Sequence, residues 1–99
     1  MANIGSFTKT DTGYLGMLRT LTLTAKAAIT PNARKTSEAA PDFRIVAKGA
    51  EIGAGWKQIA KGSGAEYLSI KLDDPTFAAS IRANLVGNAE GGFDLLWSR

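Results

Sequence analysis

No histidine and no cysteine occur among the 99 residues. Without them there is no Ser-His-Asp or Cys-His nucleophilic system and none of the common zinc sites. The lack of cysteine also removes any disulfide framework, which a secreted domain of this size often needs. Residues 1–9, Met-Ala-Asn-Ile-Gly-Ser-Phe-Thr-Lys, have neither the basic start nor the apolar run of a signal peptide. No stretch approaches the roughly 20 apolar residues of a membrane span. A cytoplasmic protein without membrane association is therefore expected. Phosphate-cradling loops are missing too: no Gly-x-x-x-x-Gly-Lys-Ser/Thr or Gly-x-Gly-x-x-Gly leads from a strand into a helix. The glycine cluster at 87–92 lacks the lysine and the helix and reads as a hairpin turn.

What is present suits one folded domain over 1–99: 44% of residues are apolar, enough for a core, and 21% are charged, ordinary for a globular chain. Twelve basic against nine acidic residues give a net charge of +3, which permits an anionic partner without demanding one.

Glycine-punctuated alternation organises the chain. Residues 4–9 read as a first strand closed by the turn cluster 10–13, and Tyr14 opens a long extended run. In that run Leu15, Met17, Leu21 and Leu23 share one face and Thr20, Thr22 and Thr24 the other, with Arg19 interrupting the apolar side at a bulge or strand end. Residues 25–41 carry many alanines but are bracketed by Pro31 and Pro41, and about 31–40 is expected to be an exposed loop. Period-two patterns then return, with Phe43, Ile45 and Ala47 inward, Leu68, Ile70 and Leu72 inward, and Ile81, Ala83 and Leu85 inward. Phe93, Leu95 and Trp97 complete the core set in a last strand. The expected architecture is an all-β, six- or seven-stranded antiparallel small barrel or sandwich, with one short helical turn near 75–79. There is also a weak internal echo between Ile4-Gly5…Phe7…Lys9 and Ile52-Gly53…Trp56-Lys57, which chance or duplication explains equally well.

Asp73 and Asp74 are the only adjacent carboxylates in the chain. A magnesium site or an acid–base pair would need them to converge, whereas neighbours in an extended chain point to opposite faces. Asp74 as N-cap of a turn opened by Pro75 explains it more simply. No catalytic residue, cofactor or metal is expected, and the protein reads as non-enzymatic.

Two binding surfaces remain. Arg44, Lys48, Lys57, Tyr67, Lys71 and Arg82 are all expected to point outward, and a sheet face that combines cations with an aromatic can hold single-stranded nucleic acid. A solvated face with lysines guarding strand edges produces the same pattern. Trp56 and Phe7 are assigned to the core. Val46, Val86 and Leu96 are outward apolar positions, and a patch built from them would suit a protein partner or a homodimer.

The succession Ile-Gly-Ser-Phe-Thr-Lys (4–9), Leu-Arg-Thr-Leu-Thr-Leu (18–23), Pro-Asp-Phe-Arg (41–44), Glu-Ile-Gly-Ala-Gly-Trp-Lys (51–57), Tyr-Leu-Ser-Ile-Lys-Leu-Asp-Asp-Pro (67–75) and Leu-Leu-Trp-Ser-Arg (95–99) resembles domain-of-unknown-function family 736 over essentially the whole chain. The resemblance implies a short bacterial protein, often encoded on a plasmid or other mobile element. It supplies no catalytic residue. The expected function is a non-enzymatic accessory protein that binds single-stranded nucleic acid, with a protein–protein interaction module as the alternative.

Overall fold

The structure is a computed structural model that describes residues 2–21, 24–33 and 36–97. Eight strands, β1 (Ala2–Lys9), β2 (Tyr14–Arg19), β3 (Thr24–Pro31), β4 (Phe43–Ala47), β5 (Ala50–Ile59), β6 (Glu66–Leu72), β7 (Ile81–Gly87) and β8 (Phe93–Trp97), follow one another around a closed antiparallel barrel. β8 pairs back onto β1, from Ala2↔Trp97 to Phe7↔Phe93, so none of the eight strands is an edge strand.

The all-β barrel agrees with the alternation in the sequence, while the strand count and the helical turn differ from expectation. The extended run that opens at Tyr14 does not continue through residue 24: β2 ends at Arg19 and β3 runs back alongside it from Thr24. Thr22 and Leu23 lie outside the described residues. β3 takes up the first part of the alanine-rich segment, because small side chains at Ala25 and Ala27, with Ile29, fit the crowded interior. Residues 32–33 and 36–42 belong to the expected loop, with its exposed positions at 33 and 36–39; the rest of that expected loop, 34–35, lies outside the described residues. The loop is tied down by Asn32 Nδ2 donating to the Pro41 carbonyl (2.9 Å) and Trp56 Nε1 donating to the Ala39 carbonyl (3.0 Å). Near residue 75 there is a turn and no helix among the described residues. Asp74 does cap it, accepting from the Thr76 amide and hydroxyl, and Phe77 N bonds to the Asp74 carbonyl. That single closure is followed by bends leading to β7 at Ile81, too short a span to repay helix nucleation.

The phase of β2 also departs from the sequence reading. Leu18 is buried at 1% exposure, while Leu15 is 56% exposed and shares the outer side with Met17 and Arg19. Arg19 is the last residue of β2, the strand end expected there. The inner side is Tyr14, Gly16 and Leu18, and Gly16 is glycine because a Cβ there would sit 2.0 Å from the Ser6 carbonyl oxygen of β1.

Two β-bulges shape the barrel. Ile4 is the extra residue between Asn3↔Leu96 and Gly5↔Leu95, and Ile52 is the extra residue between Val46↔Glu51 and Ile45↔Gly53. Each isoleucine turns into the core, and each bulge shifts the inside–outside phase of the rest of its strand. The interior is filled by Leu18, Ile29, Ile45, Ile70, Leu85 and Leu95, and no described polar or charged side chain is buried. Eight strands leave room for little more than such side chains. Binding must use the outer wall or one of the two mouths.

Candidate functional site

The pairing registers decide which outward residues meet. Arg44 lies opposite Ala54, Ala54 opposite Lys71, and Lys71 opposite Arg82, so three of the expected cations form one row across β4, β5, β6 and β7. With neighbouring strands about 4.8 Å apart, Arg44 and Lys71 are separated by about 10 Å and Lys71 and Arg82 by about 5 Å at the backbone. Ala54 leaves the space between the first two open. Arg44 makes an exposed ion pair with Glu51 (Nη1–Oε1 3.4 Å). No ion pair among the described residues engages Lys71 or Arg82. Glu51 and Asp73 border the shallow depression beside Lys71, so this end of the row carries both signs.

The next rows on the same wall are aromatic and polar. Trp56 lies opposite Ser69, Ser69 opposite Asn84, and Tyr67 opposite Gln58. Trp56 and Tyr67 are thus diagonal neighbours on paired strands, both half-buried. Trp56, expected in the core, lies on the outer wall, whereas alternation counted from Ile52 without a bulge would put it inside. The bulge at Ile52 reverses that count, which carries Trp56 outward with Ala54 and brings Lys57 to the inner phase, opposite Leu68. Lys57 consequently leaves the outward set. It stands at one mouth of the barrel with its ammonium 5.9 Å from the centre of the Phe43 ring. Lys48 is outside the row as well, in the two-residue turn between β4 and β5, where Lys48 (φ 53°) and Gly49 (φ 79°) both take the left-handed conformation of a tight hairpin. Phe7 is core, at 3% exposure.

The apolar trio separates. Val86 and Leu96 are on adjacent strands β7 and β8, with Asn84 opposite Leu96 and Asp94 opposite Val86. Val46 is on β4, across the barrel from them, opposite Ala28, which is in turn opposite Leu15. A different apolar strip, Leu15–Ala28–Val46, therefore runs across β2, β3 and β4. It was missed because the phase of β2 was read the other way.

The mouths differ. At the end where β1 leads into β2, Tyr14 packs edge-on against Phe43 (centroids 6.0 Å apart) and Phe93 (5.0 Å), with Lys9 5.1 Å from the Tyr14 ring centre. Those three rings stop that end. The opposite mouth is an open groove of about 860 Å³ between the residue 20–21 segment, the 73–80 turn and Trp97.

No curated protein and no solved structure matches the chain. A family model described as a protein of unknown function, DUF736, matches residues 3–99, a span that contains all six motifs of the resemblance. The chain belongs to the DUF736 family.

Proposed function

We propose that this is a non-enzymatic binding protein that holds single-stranded nucleic acid across the β4–β7 wall. Arg44, Lys71 and Arg82 would contact phosphates, while Trp56 and Tyr67 would pack against bases. The observation that carries this reading is the row Arg44–Ala54–Lys71–Arg82, bordered on the same wall by the two aromatic residues. The Glu51 pairing weakens the Arg44 end, which leaves Lys71 and Arg82 as the stronger contacts. A bacterial accessory role on a plasmid or other mobile element belongs to the same proposal and rests on the family resemblance alone, while a cytoplasmic setting rests on the lack of cysteine.

The chain has two tryptophans, which supplies a direct test. In Trp97→Phe the sole tryptophan is Trp56, on the proposed wall. Titration with an oligothymidylate at low and at high salt should quench it saturably, with affinity falling steeply as salt rises. Absence of binding at low salt overturns the proposal.

A second reading is favoured by the Leu15–Ala28–Val46 strip: contact with a protein through β2–β4, a second copy of this chain included. Sedimentation of the purified protein and of Leu15→Lys separates the two. Self-association lost in Leu15→Lys supports the strip, and a monomer at all concentrations removes the homodimer.

A further inference from the structure

We infer that the open mouth of the barrel is a binding site for a small amphiphile with an aliphatic or aromatic body and one carboxylate. The groove of about 860 Å³ lies within the range of about 300–1,000 Å³ typical of small-molecule sites, and barrel mouths are a preferred place for them. Buried Leu18 and Leu72 form its apolar floor, and half-buried Phe77, Ile81 and Trp97 form its walls. Leu21 stands on the lip with its side chain wholly in water, where a ligand body would cover it.

Charge complementarity selects the head group. Among the described lining residues Arg82 is the single charged one, and no described carboxylate pairs with it. A planar guanidinium at the rim of an apolar groove matches a carboxylate bidentately. The 73–80 turn supplies part of the apolar wall. Asp74 fixes it through the Thr76 amide and hydroxyl, and this brings Phe77 to the groove wall. The opposite mouth has no such opening, since Tyr14, Phe43 and Phe93 fill it.

Arg82 belongs to both proposed sites, but the test reads a nucleic-acid-free ligand at Trp97, so its failure leaves the wall proposal standing. Trp56→Phe leaves Trp97, in the groove wall, as the only reporter. Titration with dodecanoate below its micellar range should shift Trp97 emission saturably at one ligand per chain, and dodecanol should bind more weakly. Arg82→Gln should lower dodecanoate affinity about tenfold or more, the effect of losing a hydrogen bond to a charged group, and leave dodecanol unchanged. Arg82→Lys should retain part of the preference for the acid. Thermal melts establish that each variant is folded. A Trp97 signal that does not saturate, equal binding of acid and alcohol by the parent protein, or a ligand-free dimer that covers the groove would each overturn the inference.

Discussion

Ile4 and Ile52 occupy equivalent places in the two halves of the barrel: each is the extra residue of a bulge, each is buried, and each is followed by a glycine. The equivalence extends outward from them. Gly5 pairs with Leu18 and Gly53 with Leu72; Gly5 also pairs with Leu95 and Gly53 with Ile45. Phe43 and Phe93 then correspond, as do Lys9 and Lys57. Strands β1–β4 and β5–β8 are two similar halves, which is the structural counterpart of the Ile-Gly echo in the sequence.

Both bulge glycines are held by the same kind of contact. A Cβ on Gly5 would meet the Met17 carbonyl oxygen at 2.8 Å, and one on Gly53 would meet the Lys71 carbonyl oxygen at 2.4 Å. Backbone atoms of a closed barrel yield little. Gly5→Ala and Gly53→Ala should each destabilise by about 1–3 kcal/mol in denaturant unfolding. Gly87→Ala, whose nearest contact would be 3.9 Å away, should stay within about 0.5 kcal/mol of the parent.

The two-half arrangement makes the β4–β5 turn the counterpart of the junction between β8 and β1. Ala2 and Trp97 are already paired across that junction. A permutant opened between Lys48 and Gly49, with the original ends joined by a short flexible linker, should therefore fold to the same barrel. The check is an unchanged far-ultraviolet circular dichroism spectrum and a single cooperative unfolding transition.

The sequence was legible where alternation runs unbroken and apolar contrast is high. The inward sets Phe43/Ile45/Ala47, Leu68/Ile70/Leu72, Ile81/Ala83/Leu85 and Phe93/Leu95/Trp97 are the ones the barrel uses. Legibility failed at bulges and at small residues. A bulge adds one residue without any compositional mark, and beyond the one at Ile52 both Trp56 and Lys57 lie on the side opposite to the expected one. In β2 the inner side contains Gly16, and the outer side contains Leu15 and Met17, so the more apolar face is the wet one. In β3 alanine faces both ways, at Ala27 and Ala28, which erases the contrast. Of the candidate wall, the sequence supplied Arg44, Tyr67, Lys71 and Arg82. Register, which no local pattern encodes, supplied their alignment and the place of Trp56.

The Asp74 cap gives a pH signature. Hydrogen bonds from the Thr76 side chain first, and from its amide second, hold the Asp74 carboxyl below its ordinary value of 3.8. A depressed folded-state value means that the stabilisation is present above about pH 3.8 and is lost as pH falls through the lower folded value. Carbon-detected NMR titration should find Asp74 titrating below 3.8, and Thr76→Val should move it back upward by removing the larger cause. An unchanged Asp74 titration in Thr76→Val would assign the effect elsewhere.

The wall proposal is tested most directly by the salt dependence of oligonucleotide binding. For single strands each neutralised phosphate contributes a slope of about −0.7 in log Kobs against log salt, so three cations give about −2. Replacing Lys71 and Arg82 together by glutamine should reduce the slope by about 1.4 units, while replacing Lys9 and Lys57 together should leave it unchanged. A slope that survives the first pair, or disappears with the second, would contradict binding on the β4–β7 wall.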